Sequence, residues 1–261
     1  MYIDTHAHLD FDDYRKDLEQ VIRRAQNAGV GKIVTVGINY KSSQKAIKIA
    51  HQFDDIYATV SLHPIHADEN FDYEQFKKLA QNKKVVAIGE TGLDYKSINN
   101  EQLTISKQKE LFENFIKMAM ELNKPLIIHS RESDEDVLEI LKKYQGKIRG
   151  VMHCFPGDWD LAQKVIELGF LISFTGSITY NLSKKTREII EKAPLDKIMI
   201  ETDCPFMTPL KYRHKDKQIR NEPAYVVEVA QKIAEIKNIS LEQIANQTTQ
   251  NALDLFFRLP N

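Results

Sequence analysis

The sequence predicts an α/β protein: a single (β/α)8 TIM barrel over residues 1–261, with an extra helix at the C-terminal end. Short runs rich in Val and Ile, each ended by Gly, His, Asp or Pro, alternate with stretches of helical period. Eight such runs occur, spaced by about 33 residues on average, and no linker rich in Pro, Gly or Ser divides them. No G-x-G-x-x-G follows a run, which disfavours an open, doubly wound nucleotide-binding sheet.

The predicted strands are the apolar runs, taken in chain order. They are Met1–Asp4, Lys32–Val36, Tyr57–Ser61, Val85–Gly89, Leu126–His129, Arg149–His153, Leu171–Phe174 and Lys197–Glu201. In such a barrel all strands end at one rim, and the active site lies there. The residues that follow each run are therefore the first candidates for chemistry.

Amphipathic stretches between and after these runs predict the helices. They are Tyr14–Ala28, Ser42–Phe53, Tyr73–Gln81, Ser106–Leu122, Asp134–Tyr144, Asp158–Leu168, Ser183–Lys192, Ala224–Ile236 and Leu241–Phe257. Gly29, Gly146 and Gly169 stand where three helices should stop, and Pro223 suits the first turn of the helix that it opens. The last stretch is the extra helix.

Composition excludes several classes of protein. With 36 Lys and Arg against 37 Asp and Glu, the net charge is -1, so a globally basic surface for nucleic acid is excluded. Only two cysteines are present, which argues against a disulfide framework and favours a reducing cytoplasm. No signal peptide and no apolar run long enough to span a membrane is found, so we expect a cytoplasmic protein without a membrane partner.

Histidines at strand ends predict a metal site. Five of the eight histidines lie at or just beyond a predicted strand end, namely His6, His8, His63, His129 and His153. Glu90 and Asp203 follow two further strands. One histidine alone is better explained by a hydrogen bond to a backbone carbonyl, but a shared ion explains the whole set with one cause.

The ligand types predict two ions and an open site. Imidazole and carboxylate suit Zn²⁺, Mn²⁺ or Fe²⁺, and a bridging carboxylate such as Glu90 lets two ions approach each other. Asp203 is expected to hold one ion and to accept a proton from the attacking water. Glu201, two residues earlier, is expected to support the site, whereas Cys154 and Cys204 are expected to be small buried residues that point away from it.

Eight motifs in order resemble the TatD family of metal-dependent hydrolases and cover nearly the whole chain. They are IDTHAHLD (3–10), SLHP (61–64), GETGLDY (89–95), PLIIHSR (125–131), HCFPG (153–157), SFTGSITY (173–180), ETDCP (201–205) and RNEP (220–223). The resemblance implies a TIM barrel and a cytoplasmic deoxyribonuclease that removes nucleotides from the 3′ ends of single-stranded or damaged DNA. It also implies Mg²⁺ or a similar divalent ion; Mn²⁺ fits equally, and Zn²⁺ remains an alternative for an N/O site.

The resemblance also implies roles for individual residues. The metal ligands would be His6, His8, Glu90, His129, His153 and Asp203. His63, Arg131 and Glu201 would lie near the reacting phosphate, and we count His63, Glu201 and Asp203 as catalytic candidates.

A basic stretch after the last strand predicts phosphate contacts. Residues 211–220 hold five Lys or Arg against one Asp, at a position where barrels often bind phosphate, although a solvated loop is the alternative. Arg213 and Arg220 from this stretch, together with Arg131, are the substrate-binding candidates, and Arg131 has pairing with Glu132 or Asp134 as an alternative. The near-zero net charge predicts few phosphate contacts and a shallow salt dependence of binding.

Aromatic residues in the loops after the strands offer base stacking or ordinary packing. They are Tyr95, Phe155, Trp159 and Tyr180. The expected partner is DNA with short or single-stranded ends, and a monomer is compatible with the sequence.

Two rival functions stay open. The same metal pair suits a hydrolase of esters or amides, including an aminoacyl-tRNA deacylase, because it polarises a carbonyl group. A non-catalytic metal-binding scaffold is the rival from another class, and the open site argues against it.

Overall fold

The computed structural model describes residues 1–97, 101–213 and 219–257. Its eight parallel strands form one sheet in which each strand pairs with the next along the chain. They are β1 (Tyr2–Ala7), β2 (Val30–Thr35), β3 (Ile56–Val60), β4 (Val85–Asp94), β5 (Leu126–Arg131), β6 (Gly150–Met152), β7 (Leu171–Phe174) and β8 (Ile198–Ile200). The predicted (β/α)8 barrel is confirmed.

Helices alternate with the strands and cover the outside of the barrel. They are α1 (Leu18–Asn27), α2 (Tyr40–Gln52), α3 (Tyr73–Ala80), α4 (Glu101–Glu121), α5 (Asp134–Lys143), α6 (Trp159–Glu167), α7 (Lys184–Lys192), α8 (Val226–Lys237) and α9 (Leu241–Phe256). Between strands and helices lies an apolar layer, in which Phe76 and Phe115 pack edge to face at a centroid distance of 5.5 Å. No described helix is both long and apolar enough to span a lipid bilayer.

The extra helix α9 packs against the amino-terminal side of the barrel. Leu255 and Phe256 join an apolar cluster with Met199 of β8. The Asn251 side chain donates hydrogen bonds to the carbonyl oxygens of Leu195 and Ile198, where β8 begins. This end is packed with structural contacts, so the opposite rim is left for the site.

Polar contacts join β8 to β1 and close the barrel. The carboxyl group of Asp4 accepts hydrogen bonds from the backbone N–H of Thr202 at 2.9 Å and from its hydroxyl at 2.6 Å. The N–H of Asp203 donates to the carbonyl oxygen of His6 at 2.8 Å. The chain segments that carry His6 and Asp203 are thus fixed to each other by backbone contacts.

Several element boundaries differ from those predicted. β4 continues to Asp94 rather than ending at Gly89, and β1 and β5 are also longer at their carboxyl ends. In β1 and β4 the polar residues His6 and Asp94 continue the strand because their side chains find partners inside the rim. Helix α4 begins at Glu101, and α1 begins only at Leu18 because Tyr14 belongs to a separate 3-10 turn, where its buried hydroxyl donates to a backbone carbonyl.

Candidate metal centre

The predicted ligands meet at one rim of the barrel, where the strands end. The side chains that converge there are those of His6, His8, His63, Glu90, His129, His153 and Asp203. All are buried except His129, which is half-buried. Residues from six separate strands or strand ends are therefore brought close together, as the barrel topology requires.

The first group of side chains lies at the junction of β1 and β8. The Nε2 atoms of His6 and His8 are 3.3 Å apart, as expected for alternate residues that face the same side of a strand. Asp203 Oδ1 lies 3.4 Å from His8 Nε2 and 3.7 Å from His6 Nε2. Burial alone would raise the pKa of Asp203, but the hydrogen bond from His8 and the nearby imidazoles bring it below its ordinary value. Asp203 is therefore a carboxylate at neutral pH.

Glu90 lies between this group and a second one. Its Oε2 is 3.3 Å from His6 Nε2, whereas its Oε1 is 2.7 Å from His129 Nδ1 and 2.8 Å from His153 Nε2. Although burial raises the pKa of Glu90, the surrounding imidazoles hold it well below its ordinary value. Each of its two oxygens thus faces a different set of nitrogen donors.

Two buried carboxylates orient the imidazoles of the second group. Asp94 Oδ2 lies 3.3 Å from His129 Nε2, and Glu201 Oε1 lies 3.3 Å from His153 Nδ1. Glu201 also accepts hydrogen bonds from the Cys154 N–H at 2.8 Å and the Ser173 hydroxyl at 2.7 Å. A carboxylate on the outer nitrogen of an imidazole fixes its tautomer, so the inner nitrogen keeps its lone pair for an ion. Glu201 thus contacts the outer nitrogen of His153, and the supporting role expected of it from the sequence stays a prediction.

His63 contacts the same oxygen of Glu90 from the loop after β3. Its Nδ1 accepts the backbone N–H of Ile65 at 3.2 Å, which places the ring proton on Nε2, 3.1 Å from Glu90 Oε1. Burial lowers the pKa of His63 to about 4, despite the charge of Glu90. His63 is therefore a neutral hydrogen-bond donor to the shared carboxylate.

Sequence reasoning missed two acids next to the ligands, Asp94 and Asp4. Asp94 lies four residues after Glu90 in β4, and Asp4 lies two residues before His6 in β1. Residues an even number of positions apart in a strand face the same side, so this spacing within GETGLD and DTHAH was the available signal. Asp4 is fully buried, and this burial raises its pKa to about 8 even though Thr202 donates hydrogen bonds to it.

The donor set fits divalent cations. Three triads place their ligand atoms within 4.8 Å of one another: His6, His8 and Asp203; His6, Glu90 and His153; His63, Glu90 and His129. Among the residues that the structure describes, no Lys or Arg forms an ion pair with Glu90 or Asp203, whose charged contacts are all imidazoles. Buried carboxylates without a permanent cationic partner suit a site that takes up metal ions.

The three arginines predicted to bind substrate have different surroundings. Arg131 ends β5 with an exposed side chain, and Arg213 is also exposed, with its Cζ 4.0 Å from the ring centroid of Tyr180. Arg220 instead forms a bidentate ion pair with Asp17 at 2.9 and 2.8 Å. This pairing favours a structural role for Arg220. Residues 214–218 of the basic stretch lie outside the described part of the chain.

The aromatic candidates also separate into packing and exposed residues. The Tyr95 hydroxyl donates to Asp136 at 2.5 Å, Phe155 is buried, and Trp159 begins α6 with a lysine over its ring. Tyr180 is half-buried and lines a cavity together with Cys154, the residue after His153. Phe155 lines the same cavity, so Tyr180 is the more exposed of the two aromatic residues there.

The expectation that both cysteines are buried is correct for Cys204 and wrong for Cys154. Cys204 is fully buried, whereas Cys154 is half-buried and lines the same cavity as Tyr180. Cys154 adopts a positive φ of 42°, so strand alternation, on which the expectation depended, no longer holds at this residue.

Comparisons with known proteins agree with this geometry. A family model described as TatD related DNase matches residues 3–257. The chain is 43% identical over 259 residues to the uncharacterized metal-dependent hydrolase YabD of Bacillus subtilis, covering 98% of this chain and 99% of that protein. It is 34% identical over 258 residues to the uncharacterized metal-dependent hydrolase YcfH of Escherichia coli, with 97% and 95% covered.

Solved structures of TatD family proteins superpose on this chain over nearly its whole length. The crystal structure of YjjV, a TatD homolog from Escherichia coli, superposes with a TM-score of 0.89 at 30% identity, covering 99% of this chain and 98% of that one. A hydrolase TatD family protein from Entamoeba histolytica superposes with a TM-score of 0.87 at 25% identity, and 98% of each chain is covered.

Proposed function

We propose that this chain, which belongs to the family of TatD related DNases, is a deoxyribonuclease that hydrolyses phosphodiester bonds with two divalent metal ions. It acts as a 3′–5′ exonuclease on single-stranded or damaged DNA in the cytoplasm. The coarser activity, metal-dependent hydrolysis, is the one that its named relatives share.

The position of Glu90 carries this proposal. Its Oε2 faces His6 and its Oε1 faces His129 and His153, so one carboxylate serves two groups of imidazoles. This arrangement supports two ions that share a ligand, which is the pattern of sites that hydrolyse phosphodiesters by in-line displacement.

The residues divide between the two ions as follows. His6, His8, Asp203 and Glu90 would hold one ion, and Glu90, His129 and His153 would hold the other. When bound, such ions stabilise charge on the phosphoryl oxygen and lower the pKa of a water molecule. Asp94 and Glu201 keep the two outer imidazole nitrogens protonated, which directs the inner nitrogens toward the centre.

Asp203 is the residue that accepts the proton of the attacking water. It is ionised at neutral pH and lies beside His6 and His8, at the edge of the first group. His63 donates its Nε2 proton to Glu90 and so neutralises part of the charge on the shared carboxylate. These roles need no movement of the backbone, because β1 and β8 already hold Asp203 beside His6.

Two exposed arginines supply contacts for the phosphates of the substrate. Arg131 is the last residue of β5, and Arg213 lies in the segment between β8 and α8, on the side of the barrel where the strands end. A guanidinium near the reacting group opposes the negative charge that develops on the phosphoryl oxygens.

The test is metal-dependent hydrolysis of labelled single-stranded DNA. The purified protein is analysed for metal, chelated, and assayed after addition of Mg²⁺, Mn²⁺ or Zn²⁺. We expect stepwise removal of 3′ nucleotides. His129→Ala should lower activity by more than about 100-fold, beyond the usual cost of changing a residue outside the ligand set.

A matched control is His51→Ala, because His51 lies on the exposed face of α2 and bonds only to Asn82 among the described residues. It should retain wild-type activity. Hydrolysis of an aminoacyl ester but not of DNA by the metal-loaded protein would overturn the nuclease assignment. Full activity of His129→Ala with unchanged metal content would overturn the ligand assignment.

A further inference from the structure

A cavity of about 320 Å³ lies beside the metal centre, within the loops that follow β6, β7 and β8. It begins at Cys154, the residue after the candidate ligand His153, and reaches Met207, which follows the candidate ligand Asp203 by four residues. We call it the β6–β8 pocket. Its volume is at the lower end of the range for small-ligand sites, so it suits one flat ring system rather than an extended chain.

The walls of the β6–β8 pocket are mostly apolar, with polar groups among them. Phe155, Phe174 and Ile178 are buried side chains that line it. Ser177 and Asn181 add a hydroxyl and an exposed amide. Apolar walls with a small number of hydrogen-bonding groups match a ligand that is flat, aromatic and polar at its edges.

Tyr180 forms one side of this pocket, and the cationic side chain of Arg213 lies over its ring. The guanidinium of Arg213 stacks on its ring at 4.0 Å, and the tyrosine hydroxyl donates to the sulfur of Met207 at 3.8 Å. Tyr180 lines the pocket and Arg213 does not, so the guanidinium lies next to the pocket rather than inside it. An aromatic surface beside an exposed cation is complementary to a nucleotide, which joins a flat base to an anionic phosphate.

We propose that the β6–β8 pocket binds a nucleobase of the nucleotides that flank the scissile bond, with Tyr180 as its stacking surface and Arg213 beside the adjoining phosphate. This inference rests on the proposed nuclease function. The position of the pocket supports it: Cys154 lies directly after His153, so a base in the pocket remains next to the ions that would act on its phosphate. Base recognition by stacking tolerates all four bases, as a degradative enzyme requires.

The experiment compares two single-stranded oligonucleotides. One carries bases throughout, and the other has tetrahydrofuran abasic residues at its two 3′-terminal positions. The measured quantity is the ratio of kcat/KM for the base-bearing substrate to that for the abasic one. For the wild type we expect a ratio of about 5 to 150, the range that loss of one stacked base produces.

Variants assign the effect to Tyr180. Tyr180→Ala should bring the ratio close to one, whereas Tyr180→Phe should keep the wild-type ratio because it retains the ring. Tyr144→Ala removes a tyrosine at the end of α5, outside the pocket, and should also keep the wild-type ratio.

Different results would overturn different claims. If the wild type cleaves both oligonucleotides in a metal-dependent manner with a ratio of one, the proposed base pocket is wrong and the proposed nuclease activity stands. This outcome is decided with the wild-type protein alone. A ratio that stays high in a folded Tyr180→Ala protein overturns the assignment to this pocket. Cleavage of neither oligonucleotide with any of the three metals, alongside hydrolysis of an aminoacyl ester, overturns the proposed function itself.

Discussion

Replacing Asp94 by Asn should weaken metal binding through His129 without unfolding the barrel. Asp94 is buried, with its Oδ2 3.3 Å from His129 Nε2, and its Oδ1 accepts the N–H of Ser97 at 3.0 Å. Asparagine has the same size, and its oxygen can still accept from Ser97. Its NH2 group then faces His129 Nε2, so two donors meet unless the ring proton moves to Nδ1.

This shift of the proton determines how much metal affinity the Asp94→Asn variant loses. His129 Nδ1 lies 2.7 Å from Glu90 Oε1 and is the nitrogen that faces the centre, so protonating it removes the lone pair that an ion needs. Changes of this kind outside the ligand set cost about 10- to 100-fold in metal affinity. That range corresponds to about 1.4 to 2.8 kcal/mol.

The assay is calorimetric titration of the chelated protein with Mn²⁺, together with activity as a function of Mn²⁺ concentration. Asp72→Asn is the matched control, because Asp72 caps α3 through the N–H of Gln75 and Asn caps a helix equally well. The reasoning would be refuted if Asp94→Asn bound both ions with wild-type affinity and needed no additional metal for activity.

Three further predictions follow from contacts at the rim. Arg213→Ala should reduce by about 0.7 the slope of log affinity for single-stranded DNA against log salt concentration, and a slope equal to that of the wild type would contradict the phosphate contact. Arg220→Ala breaks the ion pair with Asp17, so it should lower the melting temperature of the protein without changing that slope. Gly92→Ala should abolish metal binding, because a Cβ there overlaps the carbonyl oxygen of His129 and must displace β5; wild-type affinity in a metal titration would count against this packing. Metal binding should release protons at neutral pH and weaken as the pH falls, because neighbouring carboxylates hold the pKa of His153 well above its ordinary value even though burial lowers it. Calorimetry in buffers of different ionisation enthalpy measures this release, and its absence at pH 7 would show that His153 is already neutral.

Much of the barrel follows from local sequence patterns. Alternating apolar runs and helical periods give all eight strands, and glycines with positive φ end α1, α5 and α6, as expected of Gly29, Gly146 and Gly169. Strand ends were harder to predict, because Asp, Glu and His resemble loop residues. In β4 these residues stay in the strand because Glu90 and Asp94 find histidine partners across the rim.

The candidate site followed from topology more than from any single motif. Because all strands of such a barrel end at one rim, the topology alone predicts that His6, Glu90, His129 and Asp203 lie close together. The partners of individual side chains were not predictable, since they depend on three-dimensional neighbours. Arg220 illustrates this, because its charge suggested phosphate binding. In the structure α1 begins beside it, and both Nη atoms of its guanidinium donate to the carboxylate of Asp17.

The seam between β8 and β1 has a consequence for folding. His6 and His8 lie in the first strand of the barrel, whereas Asp203 and the Thr202 contacts that close the barrel follow the eighth strand. Almost the whole barrel must therefore be assembled before the three side chains of the triad His6, His8 and Asp203 meet. Full affinity for cations at this triad therefore requires a closed barrel, so metal content reports whether its first and last strands are joined.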